Sequence, residues 1–212
     1  MNNVAIKVCG ITQPQDVVAL GEQGIEYMGF IFVEGSKRQL TERSCLGLLN
    51  HVPKATKSVA VFMNQSLTFI QSILKEFPVD IVQLHGEQDG DLVKLLDRPV
   101  VQRLHPFTWL QRSQCTEHSN LKAHLLDPGA GHGETFDWGT HLHTGVEINL
   151  SKAWLAGGLS PANVSEHVRL LHPAVVDVCS GVEADGKPGH KSIEKVISFI
   201  KEVRGATNGS PK

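Results

Sequence analysis

Short apolar runs rich in Val, Ile and Phe recur along the chain, and most are followed by a longer stretch in which apolar residues return every three or four positions. The first pattern is that of buried strands and the second that of amphipathic helices. Strands are predicted at 4–9, 28–33, 58–63, 80–84, 100–104, 123–127, 153–156 and 174–179. Helices are predicted at 15–23, 41–50, 67–76, 90–97, 106–112, 161–170 and 192–203, with a further short helix after Trp138. Strands alternating with helices describe parallel βαβ units rather than hairpins. An open doubly wound sheet of five or six strands is the main rival architecture. Eight repeats within 212 residues favour closure, so the expected fold is a single-domain α/β protein, a (βα)8 TIM barrel over residues 1–204. Residues 205–212, rich in Gly, Ser, Asn and Pro, are expected to form a flexible tail. Ser160-Pro161 and Thr12-Gln13-Pro14 set a hydroxyl and a proline at the starts of the seventh and first helices.

In such a barrel the chemistry sits at the C-terminal ends of the strands. The residues there are polar: Cys9-Gly10, Asn64, His85-Gly86, Asp127, Gly157-Gly158 and Ser180-Gly181. Turn chemistry alone also produces polar strand ends, so alternation is needed to sharpen the reading. Val4, Ile6 and Val8 face the helices, which leaves Ala5, Lys7 and Cys9 pointing inward. By the same rule Asp177 and Cys179, Gln83 and His85, and Arg103 point inward. Closure makes the first and eighth strands neighbours, so Lys7 and Asp177 are placed to pair. A buried ion pair is commonly structural, yet an ammonium beside a thiol also favours the thiolate and makes Cys9 a better base.

Cys9 ends the first strand and Asp127 the sixth, and closure brings both to one mouth. Their bland readings are a small core residue and a helix cap. Together they also supply the base and the acid that proton transfer at carbon requires. Gly157-Gly158 follows the seventh strand and Ser180-Gly181 the eighth. Loops after those two strands commonly hold phosphate in barrels, and glycines let backbone N–H groups approach an anion closely. Gly129-Ala130-Gly131-His132-Gly133 fits neither nucleotide-loop spacing and reads as a lid over the mouth. His141-Leu142-His143 lacks a third ligand, and the eleven histidines form no metal-ligand spacing, so no metal is expected.

Composition changes the picture only by exclusion. Apolar residues make up 41% of the chain, enough for a full core. Lys plus Arg total 20 against 22 Asp plus Glu, and a net charge of −2 argues against nucleic acid as the main partner. No stretch has the length of a membrane-spanning helix and no signal peptide is apparent, so neither membrane association nor secretion is expected. Cys9, Cys45, Cys115 and Cys179 are far apart in sequence and form no CxxC pair. A reduced, cytoplasmic protein, monomeric or homodimeric, is the expectation.

Along nearly its whole length the chain resembles the phosphoribosylanthranilate isomerase family of tryptophan biosynthesis. The resemblance is carried by Lys7-Val8-Cys9-Gly10-Ile11-Thr12, Gly29-Phe30-Ile31-Phe32, Ser36-Lys37-Arg38, Val61-Phe62-Met63-Asn64, Val82-Gln83-Leu84-His85-Gly86, Leu125-Leu126-Asp127 and Thr135-Phe136-Asp137-Trp138. It continues in the runs from Leu155 to Val164 and from Asp177 to Glu183. The resemblance implies a (βα)8 barrel that converts N-(5-phosphoribosyl)anthranilate into its carboxyphenylamino-deoxyribulose phosphate isomer. It implies Asp127 as general acid, Cys9 as general base, Arg38 as the contact for the anthranilate carboxylate, and Gly157, Gly158, Ser180 and Gly181 as the phosphate site. Lys7, Asn64 and His85 complete the expected substrate-binding set. The ligand is a phosphorylated small molecule, and an internal rearrangement requires no cofactor. The family usually carries Ser at the position of Cys179 and Thr at that of His132. The rivals are another phosphosugar barrel enzyme, including one that also takes the histidine-pathway substrate, and a non-catalytic phosphate-ligand binder on the same fold.

Overall fold

A computed structural model describes residues 4–86, 90–111, 118–129 and 150–208 of the chain. The eight predicted strands form a closed parallel barrel in sequence order, β1 to β8, with β8 hydrogen-bonded back to β1. They are β1 (Ala5–Val8), β2 (Tyr27–Ile31), β3 (Lys57–Phe62), β4 (Ile81–Leu84), β5 (Val100–Leu104), β6 (Leu121–Leu126), β7 (Ala153–Leu155) and β8 (Val175–Val178). The helices within the described residues are α1 (Pro14–Glu22), α2 (Glu42–Leu49), α3 (Leu67–Glu76), α4 (Gly90–Lys94), α5 (Pro106–Gln111), α6 (Val164–Leu171) and α7 (Ile193–Asn208). A 3₁₀ turn, Ser180–Val182, follows β8. The region after Trp138 lies outside the described residues.

Alternation along the strands divides the apolar residues into two cores. One face (Ile6, Val8, Met28, Phe30, Ala60, Phe62, Val82, Leu84, Val176 and Val178) packs against the helices. The other face (Val59, Ile81, Val101, Leu125, Trp154 and Val175) fills the lower barrel, where the Tyr27 and Trp154 rings lie 4.7 Å apart. Helix periodicity serves the outer core: Ile70, Ile73 and Leu74 bury one side of α3, and the Ser66 hydroxyl accepts the Phe69 N–H at its start.

Several boundaries shift by one to three residues, and two helix ends differ for reasons visible in the structure. The sixth helix in this numbering begins at Val164, not at 161, because the four residues before it brace the preceding loop. Asn163 Oδ1 accepts the Ser160 N–H at 2.8 Å and its Nδ2 donates to the Gly158 carbonyl at 3.0 Å. The tail expected from 205 is instead helical through Asn208. Val203 and Ala206 are buried, and Arg204 donates to the Val4 carbonyl and to Glu26, which ties the last turns to the barrel floor. Packing thus overrides the low helix propensity of Gly205. None of the described helices is long and apolar enough to cross a membrane.

Candidate functional site

At the C-terminal mouth the inward positions change from apolar to polar. Lys7 and Asp177 stand opposite each other in the β1–β8 register, and their side chains meet at 2.7 Å. Lys7 is fully buried. Burial alone would push its ammonium towards neutrality, but the charges of Asp177 and Cys9 outweigh it and hold Lys7 protonated.

Cys9 follows β1 directly and is 6% exposed. Its sulfur packs against Gly29 of β2 so closely that a Cβ there would lie 2.6 Å from Sγ. A hydrogen bond from Cys179 is the main cause that lowers the Cys9 thiol to about 7; burial opposes it and Lys7 assists. Cys179, the donor, is held well above its ordinary value by that same bond and by burial. The thiol thus has Lys7 two residues before it on its own strand, and closure of the barrel brings Cys179, at the end of β8, beside it.

Asp127 follows β6, three strands round the ring from Cys9. Burial is the largest influence on its carboxyl and raises it to about 6, against the Gly129 N–H, which donates to Oδ1 at 3.0 Å. His85, after β4, has Nε2 3.7 Å from Asp127 Oδ2. Burial, then Arg103 and Lys7, lower the imidazole to about 4, so it is neutral near pH 7 and the contact is no ion pair there. Gln83 Nε2 lies 3.3 Å from His85 Nδ1, on the ring edge away from Asp127. Arg103 donates to the Asp127 carbonyl at 3.2 Å and so fixes the backbone on which the carboxyl is mounted. Asn64, after β3, turns the chain at φ 66° with its amide against Gly86.

The glycine loops adjoin. Gly157 and Gly158 take φ values of 89° and 64°, a region that disfavours side chains. A Cβ on Gly181 would collide with the Leu159 carbonyl oxygen, so the loops after β7 and β8 touch. Among the described residues, the Gly157 and Gly158 N–H groups have no protein acceptor. Ser180 and Gly181 begin the 3₁₀ turn beside them. This is a backbone nest of the kind that takes an anion.

Arg38 lies in the loop after β2 and crosses above Gly10, where a side chain would strike its Cδ and the Cys179 sulfur. Its guanidinium is held by Glu183 through two bonds, Nε to Oε1 at 2.6 Å and Nη2 to Oε2 at 2.7 Å. Glu183 Oε1 also accepts the Gly189 N–H at 2.8 Å and lies 3.3 Å from Lys191 Nζ, which in turn donates to the Cys179 carbonyl at 3.1 Å. Burial raises the Glu183 carboxyl, but Arg38 and Lys191 outweigh it and keep it below the usual glutamate range. This hub is not visible from residue spacing, since Glu183 stands 145 positions from Arg38. Arg38, Cys9, Lys7, Asn64, His85, Asp127 and the glycine loops all lie at or just beneath one mouth. His132, the rest of the expected lid beyond Gly129, and the His141/His143 pair lie outside the described residues.

Residues 6–202 match the family model described as N-(5'phosphoribosyl)anthranilate (PRA) isomerase. A protein of that name from Legionella pneumophila (strain Corby) is 35% identical over 211 residues, covering 96% of this chain and 99% of the relative. A Streptococcus mutans protein of the same name is 36% identical over 202 residues, covering 94% and 98%. Among solved structures, TrpF from Jonesia denitrificans superposes with a TM-score of 0.81 at 29% identity, over 97% of this chain and 98% of that one. A phosphoribosyl anthranilate isomerase in complex with reduced 1-(o-carboxyphenylamino)-1-deoxyribulose 5-phosphate superposes with a TM-score of 0.77 at 28% identity, over 95% and 99%.

Proposed function

The chain belongs to the N-(5′-phosphoribosyl)anthranilate isomerase family, and from that premise we propose that it carries out the Amadori rearrangement with Asp127 as general acid and Cys9 as general base. The observation that carries the assignment is the opposed tuning of these two groups at one mouth. A carboxyl raised to about 6 keeps a protonated fraction at neutral pH, and a thiol lowered to about 7 keeps a thiolate fraction.

Asp127 protonates the furanose ring oxygen, and the ring opens to an iminium at C1′. Cys9 removes the C2′ proton to give the enolamine, which becomes the ketone by gaining a proton at C1′ and losing that of the C2′ hydroxyl. Bonds to hydrogen are exchanged within one molecule, so the reaction is redox-neutral. Lys7, sealed beneath the thiol and engaged by Asp177, acts on the charge of Cys9 rather than on the substrate. The neutral His85 stands 3.7 Å from the Asp127 carboxyl, and His85 and Asn64 line the sugar end of the mouth. The phosphate is held by the backbone of Gly157, Gly158, Ser180 and Gly181, and the anthranilate carboxylate by the edge of Arg38 that Glu183 leaves open.

Glu183 is then a positioning residue. Glu183→Gln is expected to raise KM by roughly tenfold, about 1.4 kcal/mol, with a smaller fall in kcat. Steady-state kinetics check this, and in an Arg38→Ala background the same change should add little to KM. Full additivity there would show that Glu183 does not act through Arg38.

The assignment itself is tested by supplying the purified protein with freshly generated N-(5′-phosphoribosyl)anthranilate and following the decay of anthranilate fluorescence. Turnover above the spontaneous rate is expected. Calorimetric binding of the product analogue without turnover would identify a binder instead.

A further inference from the structure

Beyond its part in tuning the base, Cys179 stands where it can bond to it. Lys7 pairs with Asp177 and Val8 with Val178 in the β1–β8 ladder, and the Cys9 N–H donates to the Val178 carbonyl at 2.9 Å. The ladder therefore runs one step past the strands and sets Cys9 opposite Cys179. Two positions below, on the same inner side, the Lys7 and Asp177 side chains already meet at 2.7 Å. Neighbouring strands run about 4.8 Å apart, within the Cα separation of roughly 4.4–6.8 Å that a disulfide spans. Each thiol is the largest single influence on the acidity of the other. Cys179 is partly exposed and precedes the exposed Ser180, so the pair opens onto the mouth.

We infer that Cys9 and Cys179 form a reversible oxidation site for hydroperoxides, at which the catalytic thiol is withdrawn into a disulfide. The inference rests on the reading of Cys9 as the base for its consequence, though not for the bond itself. The Cys9 thiolate attacks the peroxide O–O bond, becomes the sulfenic acid and releases the alcohol, or water when the oxidant is hydrogen peroxide. The Cys179 sulfur then attacks the Cys9 sulfur and expels hydroxide, which leaves as water with the Cys179 proton. Two thiols and one hydroperoxide thus give one disulfide, one alcohol and one water. The groups are suited to this order of events. Cys9 is the more acidic thiol, and the largest influence that keeps Cys179 protonated is Cys9 itself. Once Cys9 is a neutral sulfenic acid that influence weakens, while Lys191 and Arg38 continue to favour the Cys179 thiolate. Cys45, by contrast, is fully buried with its thiol pushed up to about 12, and serves as an internal unreactive control.

The test treats reduced protein with hydrogen peroxide and measures turnover before and after dithiothreitol, with peptide mass mapping of each sample. Wild type is expected to lose activity, to show the Cys9 and Cys179 peptides joined with the loss of two hydrogens, and to recover most of its activity on reduction. Cys179→Ser, compared with its own untreated sample, should lose activity without recovery, because a Cys9 sulfenic acid with no partner proceeds to the sulfinic acid. Irreversible loss in wild type with sulfinic acid at Cys9, or insensitivity to peroxide without a mapped bond, would overturn the site. A mapped Cys9–Cys179 bond in protein that keeps full activity would leave the site standing and remove Cys9 from the reaction.

Discussion

Asp127→Asn is expected to lower kcat/KM by roughly 10²–10⁴-fold in a protein whose circular dichroism and melting temperature stay close to those of wild type. The amide keeps the shape of the carboxyl and its acceptor for the Gly129 N–H, so the turn after β6 is preserved. What it lacks is a transferable proton at the ring oxygen. Burial that raises the Asp127 carboxyl to about 6 has no counterpart in an amide. Removing a partly buried ionisable group also relieves the desolvation of its charged form, so no stability loss is expected at neutral pH. Steady-state kinetics on folded variant protein check the prediction, and activity within a factor of a few of wild type would remove Asp127 from the reaction.

Cys9→Ser is expected to cost a comparable factor, roughly 10²–10⁴-fold, for a different reason. A hydroxyl in this position receives the same hydrogen bond from Cys179 and the same field from Lys7, but neither brings an alcohol into the range where it is ionised near neutrality. The substitution is small and polar at a site already flanked by Gly29, so the barrel should remain closed. Binding of the reduced product analogue should survive, since the phosphate loops and Arg38 are untouched. Loss of that affinity together with turnover would indicate collapse of the mouth instead of loss of the base.

Most of the architecture is legible in the sequence because strand periodicity and closure constrain each other. The inward set on β1 and β8 follows from alternation alone, and once the ring closes Lys7 must meet Asp177, as it does at 2.7 Å. The same register also implies the Cys9–Cys179 pairing. The four cysteines give no hint of it through spacing, because the two lie 170 positions apart and only closure joins them. Helix ends were less legible. Ser160-Pro161 reads as the start of a helix, yet the Asn163 side chain is committed backward to Ser160 and Gly158, and the helix begins only at Val164. Gly205 reads as the start of a tail, yet burial of Ala206 and the bonds of Arg204 carry the helix past it. Glu183 was least legible of all. Its partners Arg38, Gly189 and Lys191 come from the loops after β2 and β8, and no local pattern announces a carboxylate shared among them.

The central claim is that a raised carboxyl and a lowered thiol act as acid and base on one substrate. The measurement that tests it most directly is the pH dependence of kcat/KM for wild type and for the residual activity of Asp127→Asn. The reactive form carries a proton on Asp127 and none on Cys9. With the two groups near 6 and 7, wild type should give a bell with its maximum between those values. It should fall on the alkaline side as the protonated acid disappears and on the acid side as the thiolate is protonated. Asp127→Asn should lose the alkaline fall and rise to a plateau set by Cys9. An alkaline fall that persists in Asp127→Asn would contradict the assignment of the acid.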